Sequence, residues 1–285
     1  MKSEFNFGPW LIEYMLNDGA RLSRISYKGH DLLTKVPLAF RAPEKELGLY
    51  EHRPVYGYDD CFPSVVACDF PELDITIPDH GEVCWLDWKL SKKPNSLIFC
   101  VKSKLLPVVF KREMIFNDSS ILWNFEVSNI GNKILPFQHS MHPLIKIVEI
   151  KDIKLPQFES AFDWNTKHDI DSSDPKKISE FLLSRPDGAV EMLFIRNIKN
   201  GNLSWKYNSG ITLNMVFPAK YFPTIGIWWN KNGYPDENGI HRNECAFEPI
   251  AGYTSVLTQA YADGNCLSVK PKEQFGWQIL WRIQS

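Results

Sequence analysis

Three short segments of the chain carry side chains that could transfer protons. Two histidines lie in Gln138–Leu144, Glu248 lies in Ala246–Gly252, and His80 lies in a third segment. Imidazole changes its charge near neutral pH and can act there as an acid or a base. A partly buried carboxylate has a raised pKa and becomes a stronger base. These residue types together predict acid/base chemistry on a small molecule.

The two histidines face opposite ways if residues 134–142 form a β-strand. Alternation places Leu135, Phe137 and His139 on one face, and Ser140 and His142 on the other. The first face is apolar and predicts core, whereas the second is polar and predicts a cleft. The parity therefore favours His142 as the functional histidine. An alternative is that His142 merely ends a strand before a proline.

Glu248 ends an apolar stretch and directly precedes a proline. In a strand, Glu244 and Glu248 share one face while Phe247 lies on the other. Partial loss of hydration would raise the pKa of Glu248 toward that of a useful base. An ordinary glutamate at the rim of the fold gives the same pattern.

Several aromatic side chains offer flat apolar faces suited to a sugar ring. His80 precedes Gly81, a residue that tolerates unusual backbone angles and lets the chain approach a ligand, although a simple turn would also use this pair. Trp228 and Trp229 are neighbours, so in a strand at least one of them faces the core. We include Trp229 and Asn230 among the candidate sugar-binding residues.

The histidines do not have the spacing of a metal site. His139 and His142 lie three residues apart, so in one strand they face opposite sheet surfaces, and His241 and Glu244 share this defect. No glycine-rich dinucleotide loop is present in the sequence. We therefore expect neither a metal nor another cofactor.

Period-two alternation dominates the rest of the chain and predicts an all-β fold. Runs of this kind cover residues 97–106, 108–116, 121–127, 211–217 and 275–283. Separated by short turns, they are typical of a large antiparallel β-sandwich. We expect one such domain over residues 1–285.

Helix signals are limited to two short segments. Asp174 is a candidate N-cap before Pro175, and that helix should end before Pro186. A second short helix is predicted from about residue 254 to residue 264. The polar stretch 162–177 predicts a surface loop.

The composition is that of an ordinary globular protein, with 44% hydrophobic and 23% charged residues and a net charge of −2. Without a basic block, nucleic acid is not an expected partner. No window of about 20 apolar residues predicts a membrane span. Six cysteines without a C-x-x-C pair, and no apolar leader, predict reduced thiols and a cytoplasmic location.

The segments that hold the candidate residues resemble motifs of the aldose 1-epimerase (galactose mutarotase-like) family. The resemblance runs from Leu22 to Ile283 and is carried by Pro78-Asp79-His80-Gly81-Glu82-Val83-Cys84-Trp85, His142-Pro143 and Glu248-Pro249. It implies the fold of that family, a supersandwich.

The resemblance also implies roles for single residues. His142 would be the general acid, Glu248 the base, and His80 a hydrogen-bonding partner near the ring oxygen of the sugar. Arg53 and the segment 57–63, which contains Asp60, lie where similar proteins contribute substrate-binding residues. The implied activity is interconversion of the α and β anomers of a free aldose.

Two family signatures are missing from the sequence. The Gly-Arg-x-Ala-Asn-Arg run of main-branch galactose mutarotases is absent, and so is the Arg-Gly-Gly segment of hexose-6-phosphate epimerases. The identity of the sugar substrate is therefore not predicted. A non-catalytic sugar-binding protein, or an epimerase for a phosphorylated or otherwise modified sugar, are alternatives; the latter would use Arg53, Lys146 or Arg242 as cations. The expected partner is a small-molecule sugar, and a monomer or a homodimer would both fit.

Overall fold

The structure is a computed structural model that describes residues 2–37, 47–48, 50, 53–235, 239 and 241–284. The strands are β1 Lys2–Phe7, β2 Trp10–Met15, β3 Arg21–Tyr27, β4 His30–Asp31, β5 Tyr58–Cys61, β6 Cys68–Asp69, β7 Thr76–Ile77, β8 Lys89–Lys93, β9 Ser96–Lys102, β10 Val108–Asn117, β11 Ser120–Asn129, β12 Leu135–Phe137, β13 Ser140–Pro143, β14 Ile150–Lys154, β15 Ser160–Asp163, β16 His168–Ile170, β17 Ala189–Arg196, β18 Asn202–Tyr207, β19 Thr212–Val216, β20 Thr224–Pro235, β21 His241–Ile250, β22 Leu267–Val269 and β23 Gln274–Gln284. The helices are α1 Pro175–Leu183 and α2 Leu257–Ala262, with 3₁₀ turns at Val83–Trp85 and Ile147–Glu149.

Most strands belong to three sheets whose neighbours pair antiparallel. The eight-stranded sheet has the order β14-β18-β19-β23-β11-β10-β9-β8, and the five-stranded sheet has the order β16-β15-β17-β20-β21. The six-stranded sheet has the order β1-β2-β3-β5-β13, with β4 paired to β3. The predicted all-β antiparallel architecture with two short helices is confirmed.

The eight-stranded sheet packs its inner face against both other sheets. Tyr58 of the six-stranded sheet lies 5.0 Å from Trp123, and Phe247 of the five-stranded sheet stacks at 5.0 Å on Trp205, measured between ring centroids. A backbone bridge between Ile145 and Cys245 joins the two smaller sheets side by side. The result is a sandwich whose core lies between the large sheet and this joined surface.

Period-two alternation places the large side chains in that core. Trp123 and Phe125 on β11 pair with Ile279 and Trp277 on β23, and all four are buried. Burying a side chain of this size stabilises the fold by about 1.5–3 kcal/mol. The predicted alternating strands are confirmed, although the run from residue 97 ends at Lys102 rather than at residue 106.

Two sequence predictions need correction. Residues 134–142 do not form one strand, because β12 pairs with β22 while β13 pairs with β5 in another sheet. Residues 162–177 are not simply a loop, since the β15–β16 hairpin occupies their first part. A tight turn allows polar residues to pair as short strands, which a composition argument does not detect.

Both predicted helices are present. Asp174 caps α1 by accepting a hydrogen bond from the Lys176 amide at 2.9 Å, with Pro175 in the first turn. The second helix, α2, begins at Leu257, three residues later than predicted. Among the described residues, no helix has both the length and the apolar character needed to cross a bilayer. All six cysteines are free thiols.

Candidate functional site

A cavity of about 320 Å³ lies where the five-stranded sheet adjoins β5 and β13. Its walls come from the outward faces of β17, β20, β21 and β13, together with Tyr50 and the loop at His80. The volume is within the range of small-molecule sites, which is about 300–1,000 Å³. His142, Glu248 and His80, which the sequence singles out, all line it.

His142 is fixed by a cross-strand pair. It lies directly opposite Asp59 in the β5–β13 register, so both side chains project from one face, and His142 Nδ1 is 3.1 Å from Asp59 Oδ1. The Tyr50 hydroxyl is 3.2 Å from the same nitrogen. With Nδ1 held in this way, the other ring nitrogen is the one available to a ligand.

The surroundings of His142 favour its charged form. Burial opposes the imidazolium, but the hydrogen bond to Asp59 and the nearby Glu248 carboxylate outweigh burial and raise the pKa of His142. Burial also opposes ionisation of Asp59; the Arg21 guanidinium, the His142 hydrogen bond and Arg53 overcome it and hold the pKa of Asp59 well below its usual range. An ionised Asp59 thus supports a protonated His142.

A buried ion network lies behind Asp59. Arg21 Nη2 is 3.2 Å from Asp59 Oδ2, and its Nε donates to Asp18 at 2.7 Å. Arg53 donates to Asp18 and to the Cys84 carbonyl and is fully buried. The structure therefore places Arg53 behind the site, where its guanidinium helps to hold Asp59 and does not reach the cavity.

Glu248 reaches the cavity from β21. Gly226 is its partner on β20, where a Cβ would lie only 2.7 Å from Ile250 Cδ1. Ser140 Oγ donates to Glu248 Oε2 at 3.2 Å. Burial raises the pKa of Glu248, and the opposing influence of His142, His80 and Ser140 does not cancel this effect. Glu248 has the properties of a buried base beside a protonated histidine.

His80 is presented by a tight backbone turn. Its φ is +60° and that of Gly81 is +72°, and a Cβ on Gly81 would meet the Phe62 carbonyl oxygen at 2.0 Å. Only glycine fits so close an approach between two chain segments. His80 Nδ1 is 2.9 Å from Asp79 Oδ2, and its ring stacks on Tyr50 with 3.7 Å between the centroids.

Glu82 anchors the same turn to the core. Its buried carboxylate accepts hydrogen bonds from the Ser103 hydroxyl and from the Lys104 amide, the latter at 3.0 Å. A buried carboxylate needs such donors, and here they belong to a loop that follows β9. Within the motif at residues 78–85, Glu82 thus has a structural position, whereas His80 lines the cavity.

A second carboxylate lines the cavity on the same strand face as Glu248. Glu244 is 2% exposed, forms a 2.8 Å ion pair with Arg242, and accepts a hydrogen bond of 3.4 Å from Trp228 Nε1. Burial raises its pKa despite the opposing effect of Arg242. The sequence analysis placed Glu244 and Glu248 on one face, and the structure confirms that geometry.

Aromatic and apolar side chains cover the wall opposite His142. They are Trp164, Met192, Phe194, Trp228 and Tyr234. Trp164 follows β15 within the stretch that the sequence predicted as a loop, so its role at the cavity was missed. The Trp228 and Tyr234 rings meet edge to face at 6.0 Å. This wall offers a stacking surface for the apolar face of a sugar ring.

Three further candidates from the sequence do not reach the cavity. Asp60 faces the core, where it binds Arg112, His139 and Tyr58. Trp229 is fully buried on the core side of β20, since neighbours in a strand face opposite ways. Asn230 lies on the cavity side of β20, but it is fully buried, and its amide binds the backbone of Gly233 and Tyr234. Trp228 lines the cavity instead of Trp229, and Asp59 lies behind His142.

One group of side chains has the composition of a metal site. Cys61, His80 and His142 each offer a ligand atom, and these atoms lie within 4.8 Å of one another. Three such donors could hold a soft divalent ion after small side-chain movements. Burial raises the pKa of the Cys61 thiol well above its ordinary value, which disfavours the thiolate that a metal would require. That this protein uses no metal stays a prediction.

Comparison with solved structures gives extensive matches. A protein from Synechocystis sp. PCC 6803 superposes with a TM-score of 0.76 at 12% identity, covering 100% of this chain and 96% of the other. A putative aldose 1-epimerase from Escherichia coli K12 gives a TM-score of 0.74 at 12% identity, covering 100% and 99%. A galactose mutarotase-like protein from Lactobacillus casei gives 0.68 at 13% identity, covering 100% of each chain.

The chain has the galactose mutarotase-like fold. At identities of 12–13%, these similarities establish the fold. The function has to be argued from the residues of the site. No protein-family model and no curated protein matches the sequence. Within this fold, His142 and Glu248 line one cavity.

Proposed function

We propose that this protein is an aldose 1-epimerase, which interconverts the α and β anomers of a free sugar. One observation carries the proposal: His142 and Glu248 line the same cavity, where the Asp59 hydrogen bond and the nearby carboxylate raise the pKa of His142, and burial raises the pKa of Glu248 toward that of a useful base. Opening a sugar ring needs a proton removed from one oxygen and a proton supplied to another, which this pair is suited to perform.

The proposed reaction has three steps. Glu248 takes the proton of the anomeric hydroxyl while His142 protonates the ring oxygen, so the bond between C1 and that oxygen breaks and an open-chain aldehyde forms. Rotation about the C1–C2 bond presents the other face of the aldehyde. The ring oxygen then attacks C1, His142 recovers its proton from that oxygen, and Glu248 returns its proton to the new anomeric oxygen. Each well-placed acid or base contributes about 10²–10⁴-fold.

His80 would contact the sugar near the ring oxygen. Its Nδ1 is occupied by Asp79 and its ring is fixed against Tyr50, which leaves the remaining nitrogen available to a ligand. The aromatic wall around Trp228 would hold the apolar face of the ring, so that the anomeric centre meets His142 and Glu248. Binding of this kind places the reacting atoms without further reorganisation.

Exchange between anomers at equilibrium tests this proposal and separates it from a sugar-binding protein. In NMR exchange spectra of D-glucose and D-galactose, the protein should generate cross-peaks between the α and β C1 protons that are absent in buffer. Binding of the sugar without exchange would favour a non-catalytic carbohydrate-binding protein. Neither binding nor exchange with common aldoses would overturn the proposal for a free sugar.

A further inference from the structure

We infer that Glu244, Arg242 and Trp228 form a second binding subsite. This subsite binds hydroxyl groups remote from the anomeric carbon and excludes negatively charged sugars. The inference rests on the proposed function and deepens it, because it assigns the substrate class as neutral, polyhydroxylated sugars. It starts from the position of Glu244 on the same strand face as Glu248, four residues away.

Glu244 and Glu248 project from one face of β21 into the same cavity. Four residues of a strand rise roughly 13 Å. His142 interacts electrostatically with both glutamates and therefore lies near both. A ring with C1 at Glu248 extends its other hydroxyls toward Glu244.

Glu244 is held in place before a ligand arrives. Arg242 pairs with it at 2.8 Å, and Trp228 Nε1 donates to Oε1 at 3.4 Å. A buried carboxylate fixed by such donors is a preorganised acceptor for a hydroxyl, and such charge-assisted bonds are the stronger class.

The charges at the cavity disfavour an anionic substrate. Among the lining residues that the structure describes, the carboxylates are Asp79, Glu244 and Glu248; against these three stand the proposed protonated His142 and one guanidinium, that of Arg242. Its guanidinium is already paired with Glu244. Two other candidate cations lie elsewhere: Arg53 is buried against Asp18, and Lys146 lines a separate cavity. A phosphate or carboxylate on the sugar would meet like charge, which opposes its binding.

A charge-removing substitution gives a sharp test. In Glu244→Gln the carboxylate charge is lost and Arg242 becomes free to pair with an anion. We expect kcat/KM for D-glucose to fall about five- to tenfold, and the ratio of kcat/KM for glucose 6-phosphate to that for glucose to rise at least about tenfold. Glu244→Asp keeps the charge, so the same ratio should stay at the wild-type value while glucose binds more weakly.

Two further variants make the test specific. Arg242→Gln removes the cation, so the ratio of kcat/KM for glucose 6-phosphate to that for glucose should not rise. Glu191→Gln is the matched control: Glu191 also pairs with an arginine, Arg185, at 3.3 Å, but it lies on the opposite face of the same sheet and does not line the cavity. It should leave the ratio unchanged.

The outcomes separate this inference from the proposed function. An unchanged ratio in Glu244→Gln, or an equal change in Glu191→Gln, would overturn the subsite while leaving the epimerase intact. A wild type that accelerates no anomer exchange would overturn the epimerase. In that case calorimetric binding of glucose and glucose 6-phosphate to the same variants decides the subsite, with the same shift expected in the ratio of the two Kd values. Folding of each variant is checked by its thermal unfolding midpoint.

Discussion

Asp59 and His142 are direct cross-strand partners, with 3.1 Å between Oδ1 and Nδ1 at the edge of the cavity. The buried arginines behind Asp59 keep it ionised, and the ionised Asp59 favours a protonated His142. The backbone register of two short strands therefore sets the protonation state of the proposed acid. A change at Asp59 should act on catalysis through the pKa of His142.

The pH profile should show this dependence. Activity requires ionised Glu248 and protonated His142, so kcat/KM should rise with pH through the pKa of Glu248, above its ordinary 4.5, and fall through that of His142, above its ordinary 6.5. In Asp59→Asn the alkaline limb should move to lower pH, and kcat/KM at pH 7 should fall roughly 10–100-fold. Asp118→Asn, in the exposed β10–β11 turn, is the control. An alkaline limb that does not move would exclude this role of Asp59.

Substitutions of the adjacent residues Trp228 and Trp229 should have different effects: the first should weaken sugar binding, and the second should destabilise the fold. Trp228→Ala removes part of the aromatic wall, so KM for glucose should rise about three- to tenfold with little effect on stability. Trp229→Ala leaves a cavity in the core and should cost about 3–5 kcal/mol in the free energy of unfolding. Steady-state kinetics and urea unfolding measure both quantities. Equal losses of stability in the two variants would contradict the assignment of Trp228 to the cavity wall.

Gly81 should be among the least replaceable glycines. Gly81→Ala places a Cβ 2.0 Å from the Phe62 carbonyl oxygen at a positive φ, so it should lose at least about 2 kcal/mol more unfolding free energy than Gly188→Ala. Gly188 also has a positive φ but open space around it, so its variant bears the backbone strain alone, about 1–2 kcal/mol. Urea unfolding compares the two variants. Similar losses of unfolding free energy in the two variants would show that the backbone near Gly81 and Phe62 moves apart without a cost in stability.

The sequence predicted those features that depend on local alternation. His139 packs in the core and His142 lines the cavity, as alternation predicted, although His139 lies between β12 and β13 and not in one strand with His142. The common face of Glu244 and Glu248 follows from the same rule. The positions of the long alternating strands, such as β11 and β23, were predictable for this reason.

The residues that the sequence misplaced depend on contacts distant in the chain. Tyr58–Cys61 is buried on both faces, so no alternation distinguishes Asp59 from Asp60. The adjacent pair Trp228 and Trp229 presents the same ambiguity. Arg53 lies behind the site because it pairs with Asp18, 35 residues earlier. An ion pair between residues so far apart in the chain cannot be predicted from a local sequence pattern. Trp164 reaches the cavity because it follows β15, which pairs with β17 in the five-stranded sheet.

The central claim is that His142 and Glu248 act together as acid and base, and polarimetry of freshly dissolved α-D-glucose and α-D-galactose tests it most directly. Wild type should accelerate the approach to equilibrium over buffer alone. His142→Asn and Glu248→Gln should each reduce that acceleration at least about 100-fold, and the double variant should be little worse than the poorer single variant, because the two groups serve one step. Acceleration that survives in folded single variants would contradict the account.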